Sequence, residues 1–314
     1  MDRVPLVSIG MPVYNAEAFI EDALDSLLAQ TFGDFELIIS DNASTDGTRE
    51  ICERYAKSDS RISYFPLGEN LGAIRNFNRV FELSNGKYFK WASHDDICAS
   101  TFLERCVDIL EGDSRISWCH SQSLHIDEDG LPLGNEENSA ISYVTSGNQE
   151  TKQGPAWSRD APDVQERFRS VLLGIGGVLD SYGLIRSDVI RQTPLYLPYF
   201  GSEKVFMAEL ALRGLYAEIP EILFFVRVHS EAAYNLRTNL QQRKFIDPNA
   251  RRWFAFTRLK LLRGYLSAIL RADLAPVDRL RCLNSVIQYL FQTRKWKNIV
   301  VSTFKGRGMV HDHT

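Results

Sequence analysis

The stretch Tyr88-Phe89-Lys90-Trp91-Ala92-Ser93-His94-Asp95-Asp96 decides the fold. Its first five residues are a short, mostly apolar run, the pattern of a strand buried on both faces. Two adjacent carboxylates follow at the strand's carboxyl end, where open α/β sheets bind ligands. Carboxylates crowded together repel unless a cation or a shared proton relieves them. A divalent metal, and behind it a diphosphate, is the chemistry this implies. The plainer alternative is that Asp95 or Asp96 caps a helix starting near Ser100.

Working outward, strand and helix signals alternate over the first ~120 residues. Leu6 to Gly10 reads as a strand ending in Met11-Pro12-Val13-Tyr14-Asn15. Phe19, Ile20, Ala23, Leu24, Leu27 and Leu28 form a helical stripe. Phe35 to Ser40 is a second strand, ending in the turn-rich Asp41-Asn42-Ala43-Ser44-Thr45-Asp46-Gly47. A helix with Ile51, Cys52 and Tyr55, a strand from Ile62 to Phe65 and a helix with Ala73, Phe77, Val80 and Phe81 lead to the Tyr88 strand. A helix with Leu103, Cys106, Val107 and Leu110 and a strand from Ile116 to Ser121 follow. Alternation with short connections predicts an α/β fold with a mainly parallel, doubly wound sheet.

From Gly134 to Asp163 the pattern lapses into a polar stretch, read as a functional or disordered loop. Periodicity resumes at Phe168 to Leu173 and at Tyr182 to Ile185, a helix opens near Ser202, and Ile222 to Val228 reads as a strand. Beyond Ala250 the chain reads helical and basic, with Leu280, Leu283, Ile287 and Leu290 on one stripe.

With 314 residues, 44% hydrophobic and 24% charged, the composition is that of a soluble globular protein of one large domain, or one domain with an appendage. Five scattered cysteines without a CxxC pair argue for buried thiols in a reducing compartment. The opening residues lead straight into a strand-like run without a signal peptide, and no apolar stretch is long enough to span a membrane. The net charge of −4 hides an asymmetry: residues 250–314 carry 13 Lys and Arg against 3 Asp and Glu, leaving −14 on residues 1–249. A basic tail suits an acidic surface.

Four motifs taken together resemble the family-2 inverting glycosyltransferases. Val7-Ser8-Ile9-Gly10-Met11-Pro12-Val13-Tyr14-Asn15 is similar to their opening strand and loop, and Asp41-Asn42-Ala43-Ser44-Thr45-Asp46-Gly47-Thr48 to their second-strand motif. Asn70-Leu71-Gly72-Ala73-Ile74-Arg75-Asn76 matches a third, and Ser93-His94-Asp95-Asp96 falls where the family carries its DxD metal motif. With later motifs the resemblance covers roughly residues 5–230. It implies a GT-A fold: a glycosyltransferase domain over 1–235, with a nucleotide-sugar-binding half (1–125) and an acceptor-binding half (126–235), and a basic helical extension over 236–314.

The resemblance also assigns roles. Pro12, Val13, Tyr14 and Asn15 form the loop beside base and ribose, with Pro12 helping the chain turn. Asp41 matches the residue that holds a pyrimidine base; the plainer reading is that it orders the Ser44–Gly47 turn. Arg75 matches a cation near the nucleotide, and otherwise is an exposed helix charge. Asn70 and Asn76 fix the local turn. Ser93 stands where the family has its first carboxylate, which leaves Asp95 as the direct metal ligand and Asp96 as its outer partner or a helix-initiating group. His94 reads as a partner for a sugar hydroxyl, or as an imidazole ligand. Glu203, in Gly201-Ser202-Glu203-Lys204, stands at the Asp of the family's ED motif as the general base; otherwise it only favours a helix N-terminus. Arg227-Val228-His229 matches an RxH element whose His meets the metal or diphosphate, or is structural.

The expected activity is metal-dependent (Mn2+ or Mg2+) inverting transfer of a sugar from a UDP- or dTDP-linked donor to a hydroxyl of a glycan or lipid-linked acceptor, in bacterial surface polysaccharide synthesis. A catalytically weak or inactive nucleotide-sugar-binding scaffold is the alternative. A nucleotidyltransferase would need a Gly-rich basic loop after the first strand, and Pro12 to Asn15 is not one. The expected location is cytoplasmic, with peripheral contact at the inner face of the membrane through the tail, or else a tail packed on the domain or a second copy. No nucleic-acid-reading module is recognisable.

Overall fold

The computed structural model describes residues 4–133, 159–174, 179–230, 232, 235–236, 238–249 and 257–291. Most of the polar 134–163 stretch and residues 250–256 therefore lie outside the described residues. Among those described, eight strands form one sheet in the order β3-β2-β1-β4-β7-β6-β8-β5. They are β1 (Val7–Val13), β2 (Phe35–Asp41), β3 (Ile62–Pro66), β4 (Tyr88–Trp91), β5 (Ile97–Cys98), β6 (Ile116–Ile126), β7 (Leu184–Arg186) and β8 (Leu215–Arg227). The β3-β2-β1-β4 run is parallel, as is β6 with β8, while β7 and β5 pair antiparallel.

Helices cover both faces, which is why β1 and β4 are buried at every residue. On one face, Ile20, Leu24 and Leu27 of α1 (Ile20–Leu28) and Phe102, Leu103 and Cys106 of α4 (Phe102–Gly112) pack with Val7, Ile9 and Leu37. On the other, Val80 and Phe81 of α3 (Ala73–Glu82) and Phe206 and Leu210 of α7 (Ser202–Arg213) pack with Ile38, Phe89 and Trp91. A Cβ on Gly10 would meet Val80 and Phe89 at 2.6–2.8 Å, so only glycine lets α3 approach β1 this closely. A third cluster joins α5 (Val164–Leu173) and α7 to α9 (Thr257–Arg271) and α10 (Pro276–Leu290) through Phe168, Val205, Tyr265 and Val286. Glu209, fully buried on α7, accepts from Arg213 and from Arg271 of α9.

Two expectations change, and two readings the sequence left open are settled. First, β1 runs on to Val13, so Pro12 and Val13 are strand residues paired with Ser40 and Asp41, and the chain turns at Tyr14-Asn15. Pro12 is tolerated because β4 pairs with β1 only as far as Gly10. Second, the helix expected near Ser100 begins at Phe102 after Thr101; Asp95 and Asp96 cap nothing, because β5 intervenes. Third, Phe168 to Leu173 belongs to a helix, capped by the Asp163 side chain accepting from Glu166 N. Fourth, the α10 stripe divides: Leu280, Ile287 and Leu290 are exposed, Leu283 packs half-buried on the core, and Cys282, Val286 and Tyr289 face that core.

Candidate active site

β1 sends its connection toward β2 on one side, and β4 lies on its other side. That reversal opens a crevice beyond the carboxyl ends of β1 and β4, where Tyr14-Asn15 and Ser93–Asp96 stand. Tyr14 is exposed, and Asn15 takes a left-handed conformation (φ 49°) that lets its side chain accept from Thr45 N at 2.9 Å. Asp41 is fully buried; Oδ1 accepts from Ser44 N at 2.9 Å and Oδ2 from the Tyr64 hydroxyl at 2.7 Å. It orders the turn after β2. The Asn76 amide donates to Ser40 O at 2.8 Å and Val13 O at 3.3 Å, tying the ends of β1 and β2 together. Asn70 accepts from Asn42 at 2.9 Å, beside a cavity of about 500 Å³ lined by Leu67, Gly68, Glu69 and Leu71. Arg75 is exposed on the first turn of α3.

The acidic cluster is built by strand pairing between distant segments. β5 pairs with Phe224 and Phe225 of β8, which brings Asp95 and Asp96 beside the end of β8 and His229 after it. His229 Nε2 donates to Asp95 Oδ2 at 2.9 Å, and the Ser93 hydroxyl donates to Oδ1. Burial pushes the Asp95 carboxyl up, but the His229 bond, the field of His94 and the Ser93 bond outweigh it and bring it to about 2. Asp96 responds oppositely: burial and the Asp95 charge raise it well above the carboxylate range, against the bond from Arg227 N and the charges of Lys90 and Arg227. Two neighbouring carboxyls thus divide, one ionised and one favouring its proton. Burial lowers His94 against the pull of Asp95, so it is neutral near pH 7.

Sequence reasoning passed over two cations here. Arg227, 1% exposed, donates from Nε to Asp95 O at 3.0 Å, from Nη1 to Glu128 O at 2.5 Å and from Nη2 to Asp22 at 2.8 Å, with its guanidinium 4.8 Å from the Phe19 ring. It joins α1, the Asp95 loop and the β6 end. Lys90, fully buried, donates to Tyr182 O and lies 4.6 and 5.0 Å from the rings of Phe102 and Phe224. A lysine inside an apolar strand run was itself the signal for a nearby buried acid. Arg227→Lys is expected to cost about 1–3 kcal/mol in folding stability, because one ammonium cannot reach the Asp95 and Glu128 carbonyls and Asp22 together. Denaturant unfolding of the variant checks this.

Glu203 sits in the first turn of α7, after Gly201 in the left-handed conformation (φ 88°). Burial raises its pKa, and the backbone N–H groups of the helix start lower it less. The Tyr182 hydroxyl is driven far above its usual range by burial and then by Tyr196, Asp96, Asp95 and Glu203. The acidic pair and Glu203 thus act on one side chain, in the short 3-10 turn Leu179–Tyr182. Among the described residues no group of three or more His, Cys, Asp or Glu side chains could hold a metal ion. An ion held at Asp95 and His229 therefore takes its other ligands from substrate oxygens and water, as hard divalent cations do at phosphates. The Asp95 carboxylate would suit Mn2+ or Mg2+ in that mixed shell, and the His229 imidazole would suit Mn2+ better than Mg2+.

Residues 8–159 match the model of glycosyl transferase family 2. An uncharacterized glycosyltransferase of Haemophilus influenzae is 28% identical over 256 residues, covering 79% of this chain and 74% of that protein. Bacillus subtilis TuaG, a glycosyltransferase named for teichuronic acid biosynthesis, is 39% identical over 129 residues; the match takes in 41% of this chain and 51% of TuaG. Among solved structures, S. aureus TarS 1–349 with UDP-GlcNAc aligns with TM-score 0.63 at 15% identity, over 91% of this chain and 72% of that one. A Pyrobaculum calidifontis mannosyltransferase with GDP-Man and Mn2+ aligns with TM-score 0.56 at 15% identity, over 94% of this chain and 72% of that one. The sheet and its flanking helices have the GT-A architecture.

Proposed function

We propose that this chain is a family 2 glycosyltransferase that moves a sugar with inversion from a nucleotide-diphosphate donor to an acceptor hydroxyl, a reading supported by the family match over residues 8–159 and by the GT-A fold. The observation that carries the reading is Asp95, bonded to His229 beyond the carboxyl end of β4 and braced by Arg227. A UDP- or dTDP-linked donor would set its base beside Tyr14 at the turn that the buried Asp41 orders, its ribose near Asn15 and its diphosphate toward Asp95, with Arg75 on the nucleotide side. His94, uncharged, is suited to a sugar hydroxyl. Asp95 and His229 would hold a divalent cation, with Asp96 behind them, and that cation supplies positive charge to the departing diphosphate.

Glu203 takes the proton of the acceptor hydroxyl as its oxygen bonds to the anomeric carbon. The bond from that carbon to the diphosphate oxygen breaks, and the nucleotide diphosphate departs with the electron pair. One displacement inverts the centre. The acceptor is a glycan or lipid-linked hydroxyl in bacterial surface polysaccharide synthesis, supported by the teichuronic acid naming of TuaG. The reading is tested by incubating the protein with nucleotide sugars, Mn2+ and glycan or lipid-linked acceptors and following release of nucleotide diphosphate. Release dependent on acceptor and metal is expected; its absence with every donor would favour the scaffold reading.

The base must be ionised to act, and burial holds Glu203 above its ordinary 4.5. Transfer is therefore expected to fall as pH drops, with an acid limb in the kcat profile above pH 4.5. Asp95, at about 2, is not its source. Asp96 also titrates high, so the limb should persist in Asp96→Asn.

A further inference from the structure

We propose that the outer faces of α9 and α10 dock this protein onto an anionic lipid surface. On α9, Leu266 and Leu270 are 36% and 70% exposed, four residues apart on one face, while Tyr265, Ala268 and Ile269 face the core. On α10, Val277, Leu280, Ile287 and Phe291 are 61%, 68%, 50% and 75% exposed at spacings of 3, 7 and 4, again one face. A short 272–275 connection joins the helices, and both exposed rows lie opposite the core the two helices share. A surface helix normally turns its polar side outward. Here both helices carry exposed apolar rows opposite their core faces, which marks an interaction face.

Charge selects the occupant. Among the described residues, 257–291 carry six Lys and Arg against two Asp. Arg271 and Arg281 pair with Glu209 and Asp163, and Lys260 and Arg263, both exposed on α9, outweigh the exposed Asp273 of the connection and give the rim its sign. A second copy meeting this patch about a two-fold axis would set positive rim against positive rim. An anionic bilayer neutralises it and receives the leucines at the headgroup boundary. No helix among the described residues is long and apolar enough to cross a membrane, so contact through these helices is peripheral. Because α9 packs on α7, docking would fix Glu203 relative to the bilayer. The surface does not depend on the catalytic assignment.

The test is co-sedimentation of the full chain with phosphatidylcholine vesicles with and without phosphatidylglycerol, at low and high salt. Binding is expected only to the phosphatidylglycerol vesicles, weakening with salt. Leu270→Glu with Leu280→Glu should lower the partition about tenfold or more, and Lys260→Glu with Arg263→Glu about tenfold on the anionic vesicles. All four side chains are exposed, so thermal midpoints should not move. Equal binding to neutral vesicles, binding to neither, or variants that bind like the parent would overturn the proposal. So would sedimentation velocity showing a dimer that Leu270→Glu with Leu280→Glu converts to monomer.

Discussion

Glu203→Gln should lower kcat for sugar transfer by about 10²–10⁴-fold while donor affinity and the thermal midpoint stay put. Glutamine keeps the size and the place in the first turn of α7, but it accepts no proton. The loss therefore belongs to the chemical step. Burial helps the native residue here: a carboxylate drawn out of water is a stronger base than one at its ordinary pKa. Steady-state kinetics and donor titration of the same preparation separate the two effects. If the variant retained parental turnover, Glu203 would be a helix-start charge and nothing more, and the base would have to be sought elsewhere.

Asp95→Asn is expected to weaken Mn2+-dependent donor binding about 10- to 100-fold. The amide preserves shape and the backbone bond from Arg227, but it removes the only carboxylate in the acidic pair that is held fully ionised. Asp96→Asn gives the contrast. That carboxyl already favours its proton, and asparagine still offers Oδ1 to Arg227 N, so binding and stability should change little, within about 1 kcal/mol. Calorimetric titration of a nucleotide sugar with and without Mn2+ distinguishes the two variants. Equal losses in both would mean that the carboxylates act as one unit.

Much of the nucleotide half was legible because each of its strands is an apolar run closed by a turn-forming cluster. Phe35 to Ser40 before Asp41 and Tyr88 to Ala92 before Ser93 need no partner to be read, since burial on both faces fixes their composition. The second half was harder. β5 has two residues, and its existence depends on pairing with Phe224 and Phe225, more than a hundred positions later. Arg227 looks in sequence like any charge ending a strand, and only its three directions of donation reveal it as the brace of the Asp95 loop. Pro12 misled because proline usually marks a turn, yet β1 lacks a neighbour on one side at that point. The α10 stripe stayed open for a different reason: periodicity finds an apolar face and is silent about whether the fold covers it.

The central claim is that Asp95, with His229, forms the seat of a cation that carries a sugar nucleotide's diphosphate. Thermal unfolding of the intact chain with UDP-, dTDP- and GDP-sugars, each with Mn2+ and with chelator, tests it most directly. At a donor concentration of 100 Kd, stabilisation of about 2.7 kcal/mol is expected in Mn2+ and much less in chelator. A midpoint that no donor moves, or that every donor moves equally without metal and in Asp95→Asn, would contradict it.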